Sequence, residues 1–285
     1  MNEIVIVSGK GGTGKTTLAA SLIPFFGEVV IADCDVDAPD LDILLDTSLK
    51  YEEDFVGLKR AKVNNQLCVN CGLCYEKCNF NAIDINIEIN KTKCEGCGVC
   101  EYICPVDAIT MEDSVVGQIF QSGTEFGDIV HAKLIPGEET SGKLVAEVRS
   151  RAKALATKNK IKNIIIDGSP GIACNVISSI TGTSKAIIVI EPTLSGLHDL
   201  EKIHSLVNKF RIPILIVINK CDLSRDESYK IEKYCFDNDL EIALKIPFDR
   251  TIVEGITKKK IPSLYNHELF KSIGFNDFID KLKIN

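Results

Sequence analysis

Histidine is scarce: four are spread through 285 residues. None pairs with another at a metal-ligand spacing, so His131 and His198 read as ordinary side chains rather than ligands or acids. An excess of positive charge is also missing. Lys and Arg number 33 against 40 Asp and Glu, a formal net charge of −7. That argues against non-specific nucleic-acid binding, which rests on clustered cations at the phosphates. No apolar run is long enough for a bilayer. The longest, such as Ile212–Ile218, are strand-sized, so no stable membrane insertion is expected. Met1-Asn2-Glu3 has no basic n-region, so no signal peptide is expected either. Many thiols without a secretion signal point to a reducing compartment, most simply the cytoplasm. The stretch Leu269–Ile284 has apolar residues at near-helical intervals but no strongly basic face, which favours core packing over a membrane surface.

What the chain does have is cysteine. Of twelve, eight fall into two copies of one pattern. Cys68, Cys71, Cys74 and Cys78 form the first; Cys94, Cys97, Cys100 and Cys104 form the second. The repeat continues past the cysteines, Ala82-Ile83 matching Ala108-Ile109. This is the spacing of a bacterial two-cluster ferredoxin, in which the fourth cysteine of each run ligates the other run's cluster. The expected ligand sets are Cys68, Cys71, Cys74 and Cys104 for one 4Fe–4S cluster, and Cys78, Cys94, Cys97 and Cys100 for the other. Gly72, Gly96 and Gly98 let the backbone approach the sulfides. Zinc, the alternative soft-ligand reading, needs two pairs of ligands rather than two triplets with a fourth. Asn79 stands where the second run has Pro105, so the first half has freedom to turn differently after Cys78.

The N-terminal region carries the other strong signal. Ile4–Val7 is a β-branched run of strand length. Gly9-Lys10-Gly11-Gly12-Thr13-Gly14-Lys15-Thr16-Thr17 follows, then the helical stretch Leu18–Phe26. Strand, glycine-rich loop and helix together mark a phosphate-binding P-loop. Lys15 is expected on the β- and γ-phosphates, the Thr16 hydroxyl on Mg²⁺, and the helix N-terminus adds its dipole. Later apolar runs, Val29–Ala32, Ile164–Ile166, Ala186–Ile190, Ile214–Ile218 and Ile242–Ile246, alternate with helical stretches near 142–158, 196–209, 226–238 and 267–282. Such alternation predicts an α/β fold, a doubly wound, mainly parallel sheet covered on both faces. The cysteine module interrupts it. The expected layout is a discontinuous P-loop domain, residues 1–58 and 116–285, with an α+β ferredoxin-type domain inserted at 59–115.

Lys10 narrows the class. A glycine-lysine-glycine-glycine loop with this second lysine resembles the deviant Walker A motif of the MinD/Mrp-type P-loop ATPases, a group that includes the nitrogenase iron protein and ParA proteins. The stretches Glu138–Val145 and Glu191–Leu200 resemble the group as well. The resemblance implies a nucleotide-dependent homodimer in which Lys10 reaches the partner's phosphates in trans. It implies that Asp35 positions the attacking water or a Mg²⁺-bound water, with Asp33 and Asp37 as competitors. It further implies that Asp167 holds a Mg²⁺ water, that the Gly171 backbone senses the γ-phosphate, and that Asn219 and Pro247 line the base pocket. Asn219-Lys220-Cys221-Asp222 formally reads as a guanine signature, but Lys10 favours ATP over GTP. Cys174 lies seven residues after Asp167, the offset of a cluster ligand in the nitrogenase iron protein. A small half-buried hydrophobe is the plainer reading of it.

The leading functional expectation is an ATPase whose nucleotide switch couples to low-potential electron transfer through two 4Fe–4S clusters, acting on a redox partner. The alternative is a carrier that assembles a metal cofactor or iron–sulfur cluster on a client protein. A MinD- or ParA-type positioning protein ranks third, because the acidic charge and the lack of a basic tail disfavour it.

Overall fold

The structure, a computed structural model, describes residues 1–138 and 141–283. It divides into two compact units, Met1–Glu52 with Ile119–Lys133 and Ser141–Asn285, and Glu53–Gln118 with 134–140. The cysteine repeat by itself marks out the narrower span 59–115. In chain order the elements are β1 (Asn2–Ser8), α1 (Lys15–Leu22), β2 (Val29–Asp33), α2 (Leu41–Leu44), β3 (Ser48–Val56), β4 (Arg60–Val63), α3 (Leu73–Lys77), α4 (Val99–Tyr102), β5 (Ile109–Glu112), β6 (Val115–Thr124) and β7 (Gly127–Leu134). There follow α5 (Ser141–Asn159), β8 (Asn163–Pro170), α6 (Cys174–Ile180), β9 (Lys185–Ile190), α7 (Gly196–Lys209), β10 (Ile214–Asn219), α8 (Arg225–Asp237), β11 (Glu241–Ile246), α9 (Arg250–Thr257), α10 (Pro262–Tyr265), α11 (His267–Ser272) and α12 (Phe275–Leu282). Of the 138–145 stretch, residues 139 and 140 lie outside the described residues, as does Ile284.

Nine strands form one sheet in the order β11-β10-β9-β1-β8-β2-β7-β6-β3. The pairings of β1 with β8 and β9, of β10 with β9 and β11, and of β2 with β7 and β8 are parallel. Parallel neighbours need crossovers, and the intervening helices supply them. Every residue of β1 and β2 is buried. Successive side chains point to opposite faces, so both faces of the central strands are covered. On one face Ile4 and Ile6 share a core with Leu18 and Leu22 of α1 and with Phe275 and Phe278 of α12. Among the described residues no helix is long and apolar enough to cross a membrane.

Two features depart from the sequence reading. Strands β3, β6 and β7 join the sheet beyond β2, although no continuous apolar run announces them. β3, at the sheet edge, is exposed or half-exposed along its whole length, so burial writes no pattern into it. The C-terminal helix expected over 267–282 is two helices. The chain breaks at Gly274, whose φ of 77° is left-handed, and this turn lets Phe270, Phe275 and Phe278 all reach the core.

The second unit repeats itself. β4 pairs antiparallel with β5, setting Val63 opposite Ile109, and the equivalent positions of the other half, Ile89 and Ile83, form an antiparallel bridge. The N–H of Asn64 donates to Ala108 O at 2.7 Å, and that of Asn90 to Ala82 O at 2.7 Å. Gly72 and Gly98, with φ of 79° and 76°, open the short helices α3 and α4. The duplication in sequence is thus a pseudo-two-fold in structure, each half closing its ladder on the other. A small core of Ala61, Ala82, Ile83, Ile87 and Ile109 holds it together with Cys74 and Cys94.

Candidate functional site

β1 ends at Ser8, and the chain turns through Gly9–Gly14 before α1 starts at Lys15. Gly14 has φ of 93°, and a Cβ there would run into the Asn219 side chain. A Cβ on Gly9 would lie 2.5 Å from Asp199 O, whereas Gly11 and Gly12 face open space. Asn219, at the end of β10, donates from Nδ2 to Thr13 O at 2.8 Å. The loop is therefore tied to a strand 206 residues away. Lys15 is only 5% exposed and lies 3.6 Å from Asp35 Oδ2.

The carboxylates meet where the last residue of β2, Asp33, pairs in register with Asp167 within β8. Both are fully buried. Burial pushes Asp33 well above the ordinary carboxylate range, and it pushes Asp167 up to about 6 against the pull of Lys15 and the Thr16 hydroxyl. Thr16 Oγ1 donates to Asp167 Oδ2 at 2.6 Å. Asp167 Oδ1 is buried with no hydrogen-bond partner. Such an orphaned acceptor costs free energy, and a Mg²⁺-bound water would satisfy it; Thr16 and Asp167 thus fit a Mg²⁺ site. Asp33 is already committed. It accepts from the N–H of Asp35 at 3.0 Å and of Leu41 at 3.3 Å, holding the turn after β2. Burial also raises Asp35 above its ordinary value, while Lys15 draws it down. Asp37 is exposed. The Gly171 N–H donates to Ser8 O at 2.9 Å, so in this state the backbone group read as a γ-phosphate sensor is occupied.

A cavity of about 190 Å³ adjoins the loop, lined by Gly12, Gly14, Thr17, Asn219, Pro247, Phe248 and Asp249 among others. Asn219 and Pro247 are thereby brought together with the phosphate loop. Asp222 does not line it; its Oδ1 accepts the Phe248 N–H at 2.7 Å. Lys10 points elsewhere. Its Nζ donates to Thr193 Oγ1 at 2.8 Å and to Ser195 Oγ at 3.0 Å, and lies 3.8 Å from Asp199 Oδ2. Local sequence patterns assign no role to this three-residue cradle. Its only trace there is the Glu191–Leu200 stretch after an apolar strand.

The cysteines of the second unit ring two cavities. One is lined by Cys68, Cys71, Cys74 and Cys104. The other is lined by Cys78, Cys94, Cys97 and Cys100. Each run contributes three cysteines to one cavity and its fourth to the other. Backbone N–H groups of Ala82 and Ala108 donate to Cys78 Sγ at 3.4 Å and Cys104 Sγ at 3.2 Å. Burial raises the thiols of Cys74 and Cys100, the latter to about 11. Among the described residues, no three Cys, His, Asp or Glu side chains converge as they would on a single metal ion. Four sulfurs spread around a cavity fit a cluster-sized body instead. Cys174 is exposed and free at the start of α6.

A model of the CobQ/CobB/MinD/ParA nucleotide binding domain matches residues 4–262. An uncharacterized protein of Methanocaldococcus jannaschii is 34% identical over 286 residues, covering 99% of this chain and 96% of that protein. The septum site-determining protein MinD of Bacillus subtilis is 25% identical over 211 residues, 72% of this chain and 59% of that protein. Among solved structures, MinD from Pyrococcus horikoshii complexed with Mg-ADP superposes with a TM-score of 0.58 at 22% identity, covering 99% of this chain and 94% of that one. The phosphate loop after β1, the paired carboxylates of β2 and β8, and the family match over most of the length agree: this chain belongs to the CobQ/CobB/MinD/ParA nucleotide-binding family.

Proposed function

We propose that this protein is an ATP-hydrolysing, dimer-forming iron–sulfur protein in which nucleotide state is coupled to low-potential electron transfer. The observation that carries the reading is the division of eight cysteines into two cavities, each lined by one crossed set of four. Cys68, Cys71, Cys74 and Cys104 would hold one 4Fe–4S cluster, and Cys78, Cys94, Cys97 and Cys100 the other; bound there, they would supply one-electron chemistry. The chain's own residues do the rest. Lys15 leaves Asp35 for the nucleotide phosphates, and Thr16 and Asp167 would hold Mg²⁺. Asp35 then orients water, and Lys10 leaves its cradle to place positive charge against the partner's phosphates. Mg-ADP in the Pyrococcus MinD structure supports a Mg-nucleotide here. Adenine is favoured because Asp222, which a guanine site would need, is turned onto the Phe248 backbone.

Protein purified anaerobically should carry about eight irons and eight sulfides per chain, and Cys71→Ser should lose about half. Colourless, iron-free protein from that preparation would sink the cluster assignment. The similarity to MinD of Bacillus subtilis favours a second reading, a positioning ATPase. On that reading ATP turnover and dimerisation would be unaffected by loss of iron.

A further inference from the structure

The two halves of the cysteine unit repeat each other, yet their cavities are closed differently. In the register of the repeat Ile87 stands where Ala61 does, each two residues before the position, Ile89 or Val63, that meets its antiparallel partner. Ala61 is an ordinary strand residue of β4, opposite Met111, and lines the cavity of Cys78, Cys94, Cys97 and Cys100. Ile87 lines the cavity of Cys68, Cys71, Cys74 and Cys104 and is 6% exposed. Its backbone is left-handed, with φ of 64°. That is an outlier for a β-branched side chain, which crowds the backbone there. The turn around it is fixed. Asp84 Oδ1 accepts the N–H of Asn86 at 2.9 Å and of Glu88 at 2.8 Å, and Asp84 O accepts the Ile87 N–H at 3.0 Å. Asn86, a residue type that takes left-handed backbone readily, sits beside Ile87 in ordinary backbone, exposed. The strain is borne instead by the apolar residue that lines the cysteine cavity.

We infer that Ile87 is a positioning residue that keeps water from the cluster held by Cys68, Cys71, Cys74 and Cys104, and so holds that cluster's reduction potential down. The inference rests on the iron–sulfur reading proposed above. A low-potential one-electron donor adds one negative charge to a cluster, with no bond or proton changed. That charge is costlier in apolar surroundings than beside water, and solvent access around a cluster sets its potential accordingly. Among the described residues no charged side chain lines this cavity, whereas Lys77 and Glu95 line the other. Val69, Leu73 and Val106 stand in its wall but are partly open to solvent. Buried Ile109 lines it too, but its equivalent in the repeat, Ile83, does the same for the other cavity. The difference between the two lies at Ile87, which the other half replaces with the single methyl of Ala61. Backbone strain persists only where its surroundings over-determine it. Here the Asp84 turn does so, and it secures a branched apolar side chain in the sulfur-lined cavity.

The test is an iron assay followed by an EPR-monitored redox titration of the anaerobically prepared full chain, in wild type, Ile87→Asn, Ile87→Val and Ile85→Asn. Asn suits the left-handed backbone at position 87 and brings a polar group into the cavity. One of the two reduction steps should therefore move to higher potential while the other stays. At a fixed potential the reduced-to-oxidised ratio of that cluster should rise about tenfold, which corresponds to about 59 mV. Ile87→Val keeps a branched apolar side chain and should move the same step less. Ile85, 78% exposed in the same turn, should accept Asn with neither step moved. Should Ile87→Asn fail to hold iron, Ile87→Val carries the comparison, with a smaller upward shift of one step alone. A changed melting temperature with unchanged potentials would mean that Ile87 only packs, and overturns the inference. Equal shifts of both steps, or the same shift in Ile85→Asn, also overturn it. In each of those cases a wild type with full iron leaves the cluster reading standing; a wild type without iron overturns both.

Discussion

Two lysines of one loop are held in opposite ways. Lys15 is sealed against Asp35, while Lys10, with a third of its side chain exposed, rests on Thr193, Ser195 and Asp199. Lys15→Ala should abolish nucleotide binding, because it removes the charge that faces the phosphates. Lys10→Ala should leave binding within a few-fold and lower turnover by a factor on the order of a thousand, as for an arginine finger. Equal loss of binding in both variants, measured by nucleotide titration, would contradict the in-trans role of Lys10. Asp167 supports a pH prediction. Its folded value, about 6, lies above its unfolded one, so the native state binds its proton more readily. Native stability is then lost as pH rises through the interval between the two values. Asp167→Asn removes that charge, so without Mg²⁺ its melting temperature should exceed wild type at pH 8, and the gap should shrink toward pH 4. Hydrolysis should be lost. A gap that does not change with pH would refute the assignment of the burial cost to this carboxylate.

At the scale of elements, the cysteine loops depend on left-handed glycines that differ in what surrounds them. Gly96 has φ of 64°, and a Cβ there would run into the carbonyl of Lys59; Gly72 has φ of 79° with nothing within 4 Å. Gly72→Ala should therefore cost about 1 kcal/mol, the left-handed penalty alone. Gly96→Ala should cost more, a further 1–3 kcal/mol or so for the clash, and should reduce the iron bound per chain. Thermal melts and iron assays of the two variants check this, and equal effects would mean that the Lys59 backbone yields without strain. Elements also mark where sequence patterns lose their hold. Residues of β1 and β2 are buried on both faces and write continuous apolar runs. β3 is an exposed edge strand and writes none, and Gly274 hides a break inside an otherwise helical period.

For the molecule as a whole, the chain that carries Asp35 continues through α2 into β3, and β3 leads into the cysteine unit. On the proposed function, ordering of the segment after Asp35 by nucleotide should be felt at the cysteines. Any nucleotide that binds oxidised and reduced protein differently must shift the reduction potential by the same free energy. A tenfold difference in affinity corresponds to about 59 mV for a one-electron couple. A redox titration with no nucleotide, ADP and a non-hydrolysable ATP analogue should show the largest shift with the analogue. Superimposable curves would remove the coupling and leave the positioning reading in front.

The sequence by itself determined the phosphate loop, the parallel core of the sheet and the duplicated cysteine pattern. Each rests on local chemistry: glycines where φ must be positive, β-branched runs where both faces are buried, and ligands repeated at fixed spacing. Only the tertiary structure decided how distant groups meet. Asp33 faces Asp167 because β2 and β8 are neighbours in the sheet, far apart in the chain. Lys10 finds Thr193 and Ser195 across more than 180 residues. Such contacts follow from strand order, and strand order is a property of packing that local residue patterns do not encode.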